Sequence, residues 1–424
     1  MTSGTFHPDM RFGAFLAPHH PVGESPTLLF QRDLELVTLL DKLGYEEFWC
    51  GEHHSSGWEM IASPEMFLAA AGQVSSRIKL GTGVISLPYH HPFNVAQRIV
   101  QLDHMTQGRA MFGSGPGALP SDAWTLGIDP MVQRDRQDEA MGVIIRLLRG
   151  DDRFSYESDW FTLRDAELQL LPVQRDLPMV TASSVSPSGM TIAGKHGIGV
   201  LSIASNSSAG LTALPTQWGF AEEAAAANGT SVDRSNWRVM MNWHIAESRE
   251  QAREEAVDGL QRWNNEYTAW TLGRPGAVEV DDKWKLLDTM TSTGAAVIGT
   301  PDDLIEAVRN LQDVTGGFGV AMGFVHDWAN HEATRRSWEL VARYVVPELR
   351  GMMQRQRASQ QFLHDNQERL MAGAGAAVMA KINEHEGARG ALEETRARRR
   401  AAKEARAAAA DDSAFRPGAG LAES

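Results

Sequence analysis

Histidines stand in adjacent pairs at three places in the first hundred residues: His19–His20, His53–His54 and His90–His91. Glu52 directly precedes the middle pair, in the stretch FWCGEHHSSGW (48–58). Imidazole changes charge near neutral pH, so such a set can move protons, donate hydrogen bonds or bind a metal. Successive side chains of a strand point to opposite faces. Glu52, His53 and His54 can therefore share one pocket only if the strand has already ended. A strand-borne divalent site wants ligands two apart, both facing inward. Adjacent pairs send one ring each way. That argues against a metal and for a histidine working beside an organic cofactor as acid, base or donor.

Other residues could complete such a site. Trp49, Trp58, Met60, Phe112 and Trp124 fall near the same segment ends and could line an apolar pocket or simply fill the core. TASSVSPSG (181–189) joins a strand pattern to a helix start. Its serines could cradle an anion together with the helix N–H groups, or only cap the helix.

The elements that must position these residues repeat in a strand-then-helix rhythm. MRFGAFL (10–16) reads as a strand, and TLLFQRDLELVTLLDKLG (27–44) as a helix stopped by Gly44. EEFWCGE is strand two; SPEMFLAAAGQVSS (63–76) opens with Ser, Pro and Glu in helix-start positions. RIKLGTGVISL (77–87), RAMFGSG, PMVTASS (178–184), IGVLSIAS (198–205), WRVMMNWHIAE (237–247) and GFGVAMGFVH (317–326) read as further strands, each followed by a helical pattern. Repeated βα units imply a parallel sheet covered by helices, and roughly eight of them imply a (β/α)8 TIM barrel with insertions. An open doubly wound sheet is the other architecture with this rhythm. Its Gly-rich fingerprint after strand one is missing from AFLAPHHPVG. In a barrel the three histidine pairs fall at three consecutive strand C-termini, the face where such folds work.

The chain has 424 residues, 42% apolar and 22% charged, with a formal net charge of −14 and one cysteine, Cys50. The acidic balance argues against nucleic acid or an anionic membrane as partner. A single thiol excludes an internal disulfide and suits a cytoplasmic setting. No secretory leader and no membrane span is legible. The expected organisation is a barrel over 8–350 and an Ala/Arg/Glu-rich C-terminal tail over 351–424, helical or disordered.

FWCGEHH, KLGTGVISLPYHHP and LDHMTQGRAMFGSGPG, in that order, resemble the bacterial luciferase-like flavin monooxygenases over about residues 10–350. GSGPGALPSDAWTLGIDP and the late FVHDW…SWELVARYVVPEL look like the branch containing limonene and diketocamphane monooxygenases, which acts on terpenoid-type molecules. The resemblance implies a two-component monooxygenase. A separate NAD(P)H:flavin reductase supplies FMNH2, dioxygen adds at flavin C4a, and the resulting (hydro)peroxide oxygenates a small hydrophobic substrate such as limonene.

The resemblance also implies roles. His53 takes the place of the histidine beside the reacting flavin, supported by Glu52 and His54, and His91, ahead of Pro92, that of a second active-site histidine. Thr82 and Gly83 lie beneath the flavin ring, at a non-prolyl cis peptide; Ser183, Ser184 and Arg134 contact the cofactor, the serines at its phosphate. Gly115 and Pro116 stand where luciferase itself has a reactive cysteine and a phosphate-binding arginine, so light emission is not implied. Residues 265–293 fall at the family's mobile lid, or form an extra surface helix. A homodimer through SPEMFLAAAGQVSS and FNVAQRIVQLDHM is also implied. The competing readings are an F420-dependent oxidoreductase of the same fold, against which the Glu-His-His triplet speaks, and a flavin-binding protein without turnover.

Overall fold

The computed structural model describes residues 7–17, 19–203, 207–274 and 277–414, with side chains to residue 407. Eight strands form the expected barrel: β1 (Arg11–Leu16), β2 (Glu47–Cys50), β3 (Lys79–Thr82), β4 (Ala110–Gly115), β5 (Met179–Ser183), β6 (Gly199–Ser202), β7 (Trp237–Met241) and β8 (Val320–Phe324). Every neighbouring pair is parallel. β1 pairs with β8 (Phe12 opposite Ala321), and β3 with β4 (Gly81 opposite Met111). The ring is closed.

Each strand is carried back by an amphipathic helix. α1 (Pro26–Leu43) starts on a proline and stops at Gly44, whose φ is 87°; its buried Leu29, Leu36, Val37 and Leu40 recur at helical spacing. α2 (Pro64–Gln73) and α3 (Pro92–Met105) also begin on prolines. α4 (Gln133–Arg149), α5 (Ser188–His196), α6 (Ser208–Asn228), α7 (Arg249–Arg262), α8 (Pro301–Thr315) and α9 (His331–Leu340) complete the jacket. α8 opens with a capping box between Thr300 and Asp303 and buries Leu304, Ile305 and Val308.

Phe15, Trp49, Met111, Val180, Leu201, Met240, Met322 and Phe324 fill the barrel interior. Trp49 fits because its neighbour is a glycine: a Cβ at Gly81 would lie 2.4 Å from Trp49 Cε3. The N-terminal end is closed by charge. Glu47 is fully buried and accepts from Arg238 Nε (2.7 Å), Arg11 (2.7 Å) and the Trp49 indole (2.9 Å). Burial pushes its carboxyl pKa up, but the two guanidiniums and the indole N–H outweigh that and hold it low. One end is thereby given to stability, leaving the other for chemistry.

Three expected strands come out shorter. The strand read over 77–87 breaks at a cis peptide between Gly83 and Val84, after which Ile85–Ser86 pairs with the far end of β4. The strand read over 237–247 splits at Asn242, whose side chain donates to Ala295 O. Trp243–Ile245 then leaves the barrel and pairs with Val297–Gly299. The strand read over 198–205 ends at Ser202, and positions 204 and 205 lie outside the described residues. The polar stretch after α4 forms an antiparallel hairpin, Phe154–Glu157 with Thr162–Ala166.

The chain divides into two compact units between Met352 and Met353. Among the described residues the second contains three helices, Gln354–Asp365, Gln367–Glu384 and Glu386–Ala414, with almost every described side chain exposed. The last ten residues of the tail lie outside the described set. Among the described residues no helix is long and apolar enough to cross a membrane.

Candidate active site

β2 ends at Cys50. The Gly51 amide still donates to Leu16 O, and the His53 amide next donates to Ile61 O, so the chain has turned out of the sheet before Glu52. Glu52 and His53 now reach two different networks at the barrel's C-terminal mouth. Glu52, 3% exposed, accepts from the Ser86 amide (2.9 Å) and pairs with His54 Nε2 (2.8 Å) and His90 Nε2 (2.7 Å). His53 stands between two other carboxylates: Nδ1 lies 2.9 Å from Asp122 Oδ2 and Nε2 3.3 Å from Glu59 Oε1. Asp122 Oδ1 accepts from the His54 amide (3.0 Å) and the Ser55 hydroxyl (2.5 Å), tying the two networks together. Glu59 reaches one histidine further, to His19 Nε2 at 3.5 Å.

The electrostatics separate the two histidines that share Glu59. Burial works to lower the His53 pKa, but the Glu59 charge and the Asp122 hydrogen bond outweigh it and raise the value. For His19 burial wins over Glu59 and the pKa falls. His54 is raised by its hydrogen bond to Glu52. Burial pushes Glu52, Glu59 and Asp122 up, yet their imidazole, hydroxyl and amide partners bring all three below the usual carboxylate value. The result is one imidazole whose pKa is raised and one whose pKa is lowered on either side of a single carboxylate. Such a set can hold a proton at His53 and release it on demand.

An aromatic roof covers this mouth. Residues Trp263–Thr271 form a π-helical stretch, and Tyr267 on it is 1% exposed. Its ring lies 4.3 Å from that of His19 and 5.4 Å from that of Trp58, while its hydroxyl faces Glu59. Helix Lys283–Ser292 follows. The segment read as lid or surface helix thus carries part of the π-helical stretch and then a helix, with positions 275 and 276 outside the described residues.

His91 is exposed and serves α3 as N-cap, its Nδ1 accepting from the Phe93 amide (3.3 Å) with its ring against Phe161. The structure does not bring it to His53; its neighbour His90 is the one that enters. Pro92 at the first helical position makes His91 the cap, and the preceding turn Leu87–Tyr89 aims His90 inward. Thr82 is fully buried, its hydroxyl donating to Gly113 O (3.0 Å) and accepting from Gly113 N (2.9 Å), which ties β3 to β4. Gly83 begins the cis peptide.

Arg134 is exposed on the first turn of α4, where the inward residues are Gln133, bonded to Tyr89 and Pro116, and Gln137, bonded to Thr181. Ser183 is buried at the end of β5 and Ser184 is exposed just beyond. Neither caps α5. Its N-cap is Pro187, no side chain caps it, and the first turn's N–H groups have no partner within the helix. Trp58 belongs to the roof, Trp49 to the barrel interior and Phe112 to the outer core, while Met60 is half-buried and Trp124 is 86% exposed. Among the described residues no group of three or more His, Cys, Asp or Glu is arranged to hold a metal ion.

Sequence reasoning missed Asp122, Glu59 and Tyr267. Asp122 sits on the short helix Pro120–Thr125, in a stretch used only for its resemblance. The usable sign was a carboxylate in a loop after a strand, facing the histidine loop of another strand. The separation of 69 positions hides that pairing.

Comparisons with known proteins agree with this geometry. The family profile described as Luciferase-like monooxygenase matches residues 10–316. The chain is 48% identical over 345 residues to 4-hydroxyprotoasukamycin monooxygenase of Streptomyces nodosus subsp. asukaensis, covering 81% of this chain and 93% of that protein. It is 47% identical over 340 residues to limonene 1,2-monooxygenase of Rhodococcus erythropolis, covering 80% and 87%. Among solved structures, the oxygenating constituent of 3,6-diketocamphane monooxygenase from Pseudomonas putida, a type II Baeyer-Villiger enzyme in complex with FMN, superposes with a TM-score of 0.68. That match is 25% identical and covers 80% of this chain and 98% of that one.

Proposed function

The chain belongs to the luciferase-like monooxygenase family, and on that premise we propose that it is the oxygenating component of a two-component system, taking FMNH2 and dioxygen to a small hydrophobic, terpenoid-like substrate. The observation that carries this reading is His53 held between Asp122 and Glu59 beneath an aromatic roof. The residues present fit FMN. The uncapped start of α5, with Ser183 and Ser184 beside it, is suited to a phosphate. Gly189 lets that helix start pack against β5, since a Cβ there would lie 2.2 Å from Ala182 O. Thr82 and Gly83 would floor the ring, and Arg134 on α4 would screen the cofactor's charge.

Reduced flavin, when bound, supplies the electrons that activate dioxygen. The chain's own residues do the rest. His53 holds a proton at Nδ1 and Nε2 and releases one through Nε2, with Glu59 to orient it and Asp122 to stabilise the charge. His54 and His90 on Glu52 form a second, supporting network, in which His90 takes the part expected of His91. Tyr267, Trp58 and Trp263 exclude water from the mouth, which such oxygen chemistry requires. In this reading a separate NAD(P)H:flavin reductase delivers the electrons, as the family membership suggests. A homodimer through α2 and α3 fits exposed Met66 and Met105.

The test is rapid mixing of the protein and FMNH2 with oxygenated buffer, followed by flavin absorbance. A long-lived species distinct from oxidised and reduced FMN, together with labelled oxygen from 18O2 in the product, is expected. Immediate return to oxidised flavin at the buffer rate, with or without substrate, would sink the reading. Tighter binding of reduced F420 than of FMNH2 would move the assignment to the deazaflavin alternative.

A further inference from the structure

Arg98 stands partly exposed on α3, away from the barrel mouth, yet it reaches the back of His90. Its guanidinium is held from two sides. Nε donates to the Asn94 carbonyl of the same helix (3.2 Å) and lies 3.2 Å from Glu65 Oε1 on α2. Glu65 is itself buried, and the Ser63 hydroxyl donates to its Oε2 at 2.9 Å. So oriented, Arg98 Nη2 lies 3.4 Å from His90 Nδ1. The ring's other nitrogen, Nε2, is 2.7 Å from Glu52 Oε1.

A guanidinium only donates, and an ionised carboxylate only accepts. An imidazole between them satisfies both in one way, with its proton on Nε2 and its lone pair on Nδ1. The ring's orientation is fixed as well. Turning it over about the Cβ–Cγ bond would put carbon where each nitrogen stands, and both bonds would be lost. From His90 the contacts run on to His53. Glu52 Oε1 also takes His54 Nε2 at 2.8 Å, the His54 amide donates to Asp122 Oδ1 at 3.0 Å, and Asp122 Oδ2 stands 2.9 Å from His53 Nδ1. Glu52 is buried, so water does not replace a donor lost from it. The load then falls on His54, which shares the same oxygen.

We propose that Arg98 is a positioning residue for the oxygenation: it locks His90 by its Nδ1 edge, so that Glu52 and His54 hold the loop carrying His53 in place. The proposal rests on the monooxygenase reading for what the lock is used for; the bonds that form the lock involve this chain alone.

The first measurement needs no cofactor. In full-length protein labelled with 15N-histidine, the His90 Nε2 proton is expected as a slowly exchanging NMR signal, assigned by its loss in His90→Gln. Arg98→Met keeps an apolar stem and a good helix former but removes the donor, and the signal is expected to broaden through exchange with water. Glu65→Gln loosens the same guanidinium from behind and is expected to act in the same direction, more weakly. The second measurement reads the consequence. After protein and FMNH2 meet oxygen, hydrogen peroxide is expected to appear about 10-fold faster with Arg98→Met than with wild type. In a His90→Gln background the same substitution is expected to change that rate by less than about twofold, because Arg98 acts through that ring. Equal protection of the His90 proton in wild type, Arg98→Met and Glu65→Gln overturns the proposal. So does a change in peroxide release that is as large without His90 as with it, which is what a merely structural arginine would give. A wild type that protects the His90 proton yet releases peroxide as fast as free FMNH2 fails the monooxygenase reading, and with it this use of the lock, while the contact itself stands.

Discussion

Replacing Asp122 tests the clamp on His53 in two separable ways. The carboxylate makes three contacts: Oδ2 with His53 Nδ1 at 2.9 Å, and Oδ1 with the His54 amide at 3.0 Å and the Ser55 hydroxyl at 2.5 Å. Asp122→Asn can keep an oxygen toward His54 and Ser55 while turning an N–H toward His53. It loses one charge-assisted hydrogen bond, a cost of about 1.5–3 kcal/mol. Asp122→Ala removes all three and leaves His53 charged and half-abandoned, a cost of about 3–5 kcal/mol. The sign of the pH dependence follows from the shifts. The His53 pKa is raised in the fold, so its contribution is present in full below the unfolded value of 6.5 and lost as pH rises through the folded value. The Asp122 pKa is lowered, so its contribution is present above the unfolded 3.8 and lost as pH falls through the folded value. The stability gap between wild type and Asp122→Asn is therefore widest at about pH 4–6.5 and shrinks on both sides. Urea unfolding across pH 3–10 measures it. In activity, the basic limb of the coupling-versus-pH profile should move to lower pH in the Asn variant, since His53 gives up its proton more easily. A gap that is flat with pH, together with an unmoved basic limb, would refute the clamp.

Four further outcomes are expected. His53→Ala should still bind FMNH2 but release hydrogen peroxide in place of oxygenated product; wild-type coupling, read by peroxide assay against product yield, would take His53 out of the chemistry. Gly81→Ala should cost about 1–3 kcal/mol or more in urea unfolding, because the added Cβ meets Trp49 Cε3 at 2.4 Å in a filled barrel. Arg238→Met should cost about 3 kcal/mol at pH 7 by leaving Glu47 with only Arg11 and the Trp49 indole, and less in acid as Glu47 takes up a proton. Ser184→Asp should weaken binding of FMN more than that of riboflavin if the start of α5 holds the phosphate; equal loss for both, by fluorescence titration, would remove the serines from that role.

The barrel was legible because its causes are local. Helices starting on Pro26, Pro64 and Pro92 and alternating with short apolar runs admit few parallel arrangements, and eight such units close. The position of the histidine pairs at consecutive strand ends was legible for the same reason. Which ring of each pair points inward was not. The doublet His90–His91 is resolved by a single turn and a proline, and the inward ring belongs to the residue that α3 does not need as its cap. The break at Asn242 was equally hidden, because the bond that causes it goes to Ala295, 53 positions away.

Sequence by itself determined the fold class, the working end of the barrel and the presence of titratable groups there, since periodicity, caps and residue types act over a few positions. Tertiary structure alone decided the direction in which each pKa moves. His53 and His19 are the same residue type at equivalent strand ends and share one carboxylate. One is raised because Asp122, brought from 69 positions away, adds a second anion; the other is lowered because burial faces only Glu59. A pKa depends on every charge and every ångström of desolvation around the group, and those neighbours are assembled only when the chain has closed on itself.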